Sequence, residues 1–334
     1  MTKVGRLRCT AQQILLLLAV LLLWTLVSIT RNESQAPSVN LVIASTLAQD
    51  YSWTSNIRIP NLRIIPFVAD NPNSTYHPPL NKGREAMIYL TYIYQFYGSL
   101  PDISIFVHAD DESWHVDSIF GRSTAYTLNH LDLNEVLQRQ YLNLHVDWKH
   151  ACPAWINTSS TSNENESKFE QPFMAAAFTA NFPNETVPEI LAQPCCSQFA
   201  VTREAILSVP REQYQHQINW LLRSAFSDEL TGRMWEHMWQ FLFLKEVVVC
   251  PLEYKALCAG WHICFGSQEE MNGWKKLAKD REDLHPTLGR IDPPHGKIEA
   301  MDMELRAWKE RAMKRGRSKA ERARIVGDLW GEHE

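Results

Sequence analysis

Three things are missing from this 334-residue chain. It has no internal repeat, which sets aside solenoids, propellers and other repeat arrays. Its body has no excess of positive charge. The net charge is −5, residues 1–10 carry +3 and residues 297–334 carry +2, so residues 31–296 carry −10. An acidic body argues against nucleic acid as a partner. It is compatible with a metal ion, or with a polyhydroxylated substrate that needs carboxylate acceptors. The cysteines also lack the spacing of a common zinc module: Cys250-x7-Cys258-x5-Cys264 fits none.

What is present begins with an unbroken apolar run, Ile14 to Ile29. With its mildly polar flanks, residues 11–30, it reaches roughly 30 Å as a helix, enough to cross a bilayer core. Lys3, Arg6 and Arg8 precede it with no acidic residue among them. Positive charge stays cytoplasmic, so a type II signal anchor is expected, with the body in the lumen of the Golgi or ER. A plasma-membrane or secreted protein is the alternative, because a cleaved signal peptide would have similar charge. The run is long for an h-region, and Trp24 to Ile29 offers only a weak cleavage site.

Five sequons follow the anchor, at Asn32, Asn73, Asn157, Asn165 and Asn184. Of seven cysteines, Cys9 precedes the anchor, and Cys152, Cys195, Cys196, Cys250, Cys258 and Cys264 follow it. An even number in an oxidising compartment predicts up to three disulfides, with pairing left open and zinc as the alternative.

The remaining 300 or so residues suffice for one large domain or two small ones. Residues 31–40 form a stem and residues 41–266 an α/β body. Residues 267–334 read as a charged helix or tail, a solvated appendage or a basic surface for anionic lipid. Leu41–Thr46, Leu62–Ile65 and Ile103–Val107 have strand character, and Ala86–Tyr97 reads as a buried helix ended by Gly98. Strand, helix, strand at this spacing suggests a βαβ unit and a parallel sheet. Helices are also expected over residues 128–141, 203–209, 211–226 and 232–245, and strands at 142–146 and 199–201.

His108-Ala109-Asp110-Asp111-Glu112-Ser113-Trp114-His115 follows the third strand, at the edge where open α/β sheets bind ligands. The Asp110-Asp111 pair could hold Mn²⁺ or Mg²⁺ with a nucleotide-sugar diphosphate. Lys82, Arg84 and Glu85 stand at a helix start, where phosphate oxygens meet free N–H groups; Glu85 could instead stabilise the helix terminus. Glu236 lies among Trp235, Trp239 and Met238, where desolvation raises a carboxyl pKa towards general-base use; pairing with Arg233 is the simpler structural role. Cys195-Cys196 could hold a nucleophile, although adjacent cysteines in a lumen more often form disulfides. Gln198 could meet a sugar hydroxyl.

Several motifs together resemble one family. They are Asn81-Lys82-Gly83-Arg84-Glu85 with Tyr89-Leu90, Leu100-Pro101-Asp102 with Phe106 and His108, Ser113-Trp114-His115, Cys195-Cys196-x-Gln198-Phe199-Ala200-Val201-x-Arg203 and Gly232-Arg233-x-x-Glu236-x-x-Trp239. They resemble a largely fungal domain of unknown function over about residues 41–252. Its members look like short-tailed, membrane-anchored secretory proteins, and it supplies no established activity. Asp110 and Asp111 lie outside the shared pattern, which leaves His108, Trp114 and His115 as stronger candidates for a common role.

At the level of topology the chain is similar to GT-A type Golgi glycosyltransferases. This implies a Rossmann-like, parallel or mixed sheet flanked by helices. The resulting expectation is a luminal glycosyltransferase-like enzyme using a nucleotide sugar and a glycan or small-molecule acceptor. Glu236 and His115 would be catalytic, and Lys82, Arg84, Glu85, His108, Trp114, Gln198, Arg203 and Arg233 would bind substrate. A non-catalytic glycan- or cargo-binding protein is one alternative. A metal-dependent hydrolase using His108, Asp110 and His115 is another.

Overall fold

Alternation along the strands sets the layers. Ile103, Ile105 and Val107 pack into one hydrophobic cluster, and Phe106 between them into the other. β1 does the same, with Leu41 and Ile43 on one side and Val42 on the other. A strand buried on both faces needs helices on both faces. The computed structural model describes residues 36–149, 151–162, 166–284 and 296–327. The anchor expected at residues 11–30 lies outside these. Among the described residues no helix is long and apolar enough to cross a membrane.

The strands are β1 (Val39–Ser45), β2 (Leu62–Val68), β3 (Ile103–His108), β4 (Tyr141–Asn143), β5 (Ile156–Asn157), β6 (Ile190–Leu191) and β7 (Phe199–Thr202). Five form one sheet in the order β2-β1-β3-β7-β4, and β5 pairs with β6. β1 runs parallel to β2 and β3, whereas β7 is antiparallel to β3 and β4. The sheet is therefore mixed. Pro66 is tolerated inside β2 because β2 is an edge strand.

The helices are α1 (Arg84–Phe96), α2 (Thr124–Asn129), α3 (Leu133–Arg139), α4 (Met174–Asn181), α5 (Arg203–Leu207), α6 (Arg211–Arg223), α7 (Asp228–Glu236), α8 (Trp239–Leu244), α9 (Glu253–Trp261), α10 (Gln268–Glu282), α11 (Lys297–Gly316) and α12 (Lys319–Val326). α1, α7 and α8 supply Tyr89, Tyr92, Trp235 and Trp239 to one core. α9, α10 and α11 supply Leu257, Trp274 and Ala312 to the other. One group of buried polar side chains at the first core is satisfied internally. Asn40 Nδ2 donates to Tyr92 Oη at 2.8 Å, which lies 3.0 Å from Ser104 Oγ.

Three expected elements are broken, each by a side chain. The helix expected over residues 128–141 divides because Asp132 accepts from Asn134 N and starts α3 afresh. The helix expected over residues 232–245 divides at His237, whose ring turns to Glu170 at 2.7 Å. The strand expected over residues 142–146 stops at Asn143, and Val146 N donates to the Asp117 carboxylate rather than to a neighbouring strand. The charged C-terminal region is helical, and it packs: Met271, Trp274 and Ala312 are buried, and Arg315 bridges α11 to Glu270 of α10.

All six described cysteines are paired, as Cys152–Cys250, Cys195–Cys196 and Cys258–Cys264. Asn73, Asn157 and Asn184 are exposed, while Asn32 and Asn165 lie outside the described residues.

Candidate functional site

β1 and β3 end at the same edge of the sheet, and a cleft of about 740 Å³ opens there. It is lined by Ser45 and Thr46 from the end of β1, His108 from the end of β3, and the segment Glu112–His115 beyond it. Arg84 and Glu85 from the first turn of α1 and Arg233 and Glu236 from α7 face it from the opposite wall. The size suits a drug-sized or nucleotide-sized ligand. A second cavity of about 760 Å³ shares Trp114, Phe169 and Arg233 with the first, so those side chains divide two lobes.

The segment 81–85 separates into two tasks. Lys82 turns away from the cleft and donates Nζ to Leu222 O at 3.3 Å and to Ser224 O, capping the C-terminal end of α6. The phosphate role expected for Lys82 is thereby corrected. Gly83 has φ +72°, a conformation that favours glycine, and a Cβ there would also press on Leu221 Cδ2 at 2.8 Å. Arg84 and Glu85 then emerge on the cleft. Arg84 lies across Gly232, where a Cβ would come 3.1 Å from Arg84 Cδ.

A ring stack runs inward from solvent. Trp114 is 65% exposed, its ring centroid 3.8 Å from that of His115, which is 4.5 Å from that of His108. The stack is clamped from behind by Gln198, whose Oε1 accepts from His108 N at 3.3 Å and whose Nε2 donates to His115 O at 3.2 Å. Gln198 is buried and does not line the cleft, so its amide orders the stack instead of meeting ligand. Burial, reinforced by His108, His145, Arg233 and Arg84, lowers the His115 pKa to about 3. The ring is therefore neutral at physiological pH. The unfolded chain takes a proton below about pH 6.5 that the folded chain refuses down to about 3. This contribution to stability is complete above 6.5 and is lost as pH falls towards 3. The His115 Cε1–H resonance should show no titration between pH 5 and 8; a midpoint within that range would refute the neutral stack.

Glu236 is pushed the other way. Burial raises its pKa to about 8; Arg233 opposes the rise, Glu85 and Glu170 add to it, and Arg84 opposes it. Its Oε2 accepts from Arg233 Nη1 at 3.1 Å. Behind Arg233 sits Glu170, fully buried, which accepts from Arg233 Nη2 at 3.3 Å and lies 2.7 Å from His237 Nε2. Burial pushes Glu170 up, but the His237 hydrogen bond and the nearby charges prevail and hold it below its ordinary value. Burial lowers His237 despite Glu170. Two carboxylates on one guanidinium thus differ in state, Glu170 ionised and Glu236 mostly protonated at neutral pH. Such divergence marks acid–base sites.

The remaining expected site residues disperse. Arg203 sits at the opposite edge of the sheet, with Nε donating to Leu100 O at 2.9 Å and a 3.0 Å ion pair to Asp102. It holds the start of β3, which corrects its substrate-binding role. Asp110 and Asp111 do not act as a pair. Asp110 lines the cleft, whereas Asp111 Oδ1 accepts from Ala125 N at 2.8 Å and Ser123 Oγ at 3.0 Å at the start of α2. The donor set expected for Mn²⁺ or Mg²⁺ is thereby halved, and among the described residues neither aspartate joins a cluster of three candidate ligands. Sequence reasoning missed Phe169, Glu170, His145 and His237. Only His237, next to Glu236, carried a local signal.

No curated protein and no solved structure matches this chain. A family model does match, over residues 41–259, which takes in both walls of the cleft, the ring stack and the paired cysteines at 195 and 196. With that span matched, the chain belongs to the family described as Protein of unknown function (DUF3431).

Proposed function

We propose that the cleft transfers a sugar from a nucleotide-sugar donor to a hydroxyl acceptor, in an endomembrane lumen reached through the anchor at residues 11–30. The observation that carries this reading is convergence. Arg84, His108, Trp114, His115 and Glu236 come from three separate stretches of sequence and line one cleft at the C-terminal edge of the parallel strands. An exposed tryptophan offers a flat apolar face for a sugar or base. Arg84 offers a guanidinium for the diphosphate. Any Mn²⁺ or Mg²⁺ would arrive with the donor and meet Asp110 alone of the pair.

In this reaction the ionised Glu236 carboxylate takes the proton of the acceptor hydroxyl. The acceptor oxygen forms its bond to the anomeric carbon. The bond from that carbon to the diphosphate breaks, and its electron pair leaves with the nucleoside diphosphate beside Arg84. Neutral His115 gives the ring stack a face that does not compete for the diphosphate charge. Arg233, held by buried Glu170, keeps Glu236 in place.

The test is to incubate the full chain with a panel of nucleotide sugars and Mn²⁺, following donor hydrolysis and thermal shift. At least one donor should give both; no hydrolysis and no shift with any donor would overturn the proposal. With a responsive donor, Trp114→Ala should raise KM about fivefold, corresponding to a lost stacking contact of roughly 1 kcal/mol, and change kcat little. The exposed Trp114 also suits a non-catalytic glycan-binding protein. That reading predicts glycan binding without turnover, unchanged in Glu236→Gln.

A further inference from the structure

The wall of the second lobe holds a cluster that sugar transfer does not use. A ring nitrogen of His145 and the sulfurs of Cys195 and Cys196 all lie within 4.8 Å of one another. His145 and Cys195 line the lobe. His145 Nε2 lies 3.4 Å from Asp117 Oδ1, whereas its Nδ1 is buried and has no hydrogen-bond partner. A carboxylate facing one ring nitrogen fixes the proton there and leaves the other as a bare lone pair. This is how a metal-ligating imidazole is held. Asp117 is itself fixed, accepting from Val146 N at 2.8 Å and Asp147 N at 3.3 Å.

We propose that, once the Cys195–Cys196 disulfide is reduced, its two thiolates and His145 form a Zn²⁺ site whose fourth position opens to the second lobe. Two thiolates and an imidazole suit a borderline-soft cation, and three protein ligands with one open position is the arrangement of a catalytic rather than a structural zinc. Zn–S bonds of about 2.3 Å at a tetrahedral angle place the sulfurs about 3.8 Å apart. Two side chains freed from their mutual bond reach that separation by rotating about χ1.

A dithiol reductant supplies two electrons and two protons. The S–S bond breaks, two thiols form, and the dithiol closes to its own disulfide. Metal binding then releases the two thiol protons. The reductant can discriminate against Cys258–Cys264, both of which are fully buried, because Cys195 borders the open lobe; Cys152 is half-buried like Cys195, so its bridge to Cys250 is followed separately by thiol mapping. Oxidised, the pair has no thiolate to offer; reduced, it admits a Lewis acid beside Trp114 and Trp155.

The test uses the full chain, titrated with dithiothreitol, with thiols mapped by alkylation and peptide mass spectrometry so that Cys9 is distinguished. Co²⁺ serves as the probe and Zn²⁺ as its competitor. A thiolate-to-Co²⁺ charge-transfer band should appear as Cys195 and Cys196 open, saturating near one Co²⁺ per chain and displaced by Zn²⁺. The oxidised chain should show none. His145→Ala should weaken binding at least tenfold, Asp117→Asn about tenfold, and the double variant Cys195→Ser/Cys196→Ser should abolish the band. The proposal is overturned if the wild-type chain, with Cys195 and Cys196 reduced and the other two disulfides intact, gives no band. It is equally overturned if the band survives undiminished in His145→Ala with an unchanged near-UV circular dichroism spectrum. These readouts follow metal and not turnover, so they stand or fall separately from the sugar-transfer reading.

Discussion

Glu236→Gln is expected to lower turnover at least a thousandfold while making the folded protein harder to melt at pH 8. The two effects have one cause. Burial raises the Glu236 pKa from 4.5 to about 8, so the folded chain keeps a proton that the unfolded chain has already released. Between these values wild-type stability falls as pH rises, and above pH 8 the folded state carries a buried carboxylate that the unfolded state solvates freely. A shift of this size corresponds to a penalty on the order of 5 kcal/mol. Glutamine keeps an oxygen for Arg233 Nη1 and removes the charge. The variant and wild type should therefore melt together near pH 4.5, with the variant ahead by roughly 10 °C at pH 8 or above. Wild-type kcat/KM should rise with pH and level off above about 8, because only the ionised carboxylate accepts the acceptor proton. Differential scanning fluorimetry across pH reads the stability half without any substrate. A melting difference that does not grow with pH would show that Glu236 is not a buried group that retains its proton. A flat rate profile across pH 6–9 would remove it from the base role alone.

Much of this was legible in the sequence. The core strands carry their own signal: Ile103–Val107 is apolar except for Ser104 because both faces are covered, and Glu236 stood out because its neighbours are large and aromatic. Other features lay out of reach because they depend on contacts between distant residues. Nothing local distinguishes Lys82, which caps α6 some 140 positions later, from Arg84, which faces the cleft. Arg203 reads like any cation in a shared motif, although its partner Asp102 sits at the edge of the sheet remote from the cleft. Glu170 is next to nothing that marks it. Its role appears only when α7 brings Arg233 and His237 onto it. The Asp-Asp pair was misleading for a local reason: one member is taken by the N-terminus of α2.

The charged C-terminal region gives the second large prediction. Gly316→Ala should destabilise the protein by about 3 kcal/mol and loosen α11 and α12. A Cβ at Gly316 would come 1.7 Å from His262 O and 2.6 Å from its carbonyl carbon. Those are backbone atoms, so no side-chain rotation relieves the overlap, and clashes of this kind cost about 1–3 kcal/mol or more. Nor can the opposing turn retreat easily. His262 closes α9 at φ +56°, inside the loop tied by Cys258–Cys264, and Cys264 N donates to Ala312 O at 3.1 Å. The end of α11 must therefore lift. Hydrogen exchange should accelerate over residues 297–326 and remain slow in β1 and β3, with a fall in melting temperature of roughly 6 °C. A variant that melts like wild type with unchanged exchange would show that the close approach at His262 is not maintained in solution. The consequence reaches the site, because α10, packed between α9 and α11, carries Lys275, Lys276 and Lys279 onto the second lobe. Loosening α11 should therefore weaken whatever binds beside Trp155, while a donor held at Arg84 in the first lobe binds as before. A segment whose composition suggested a solvated tail would then shape one half of the cleft.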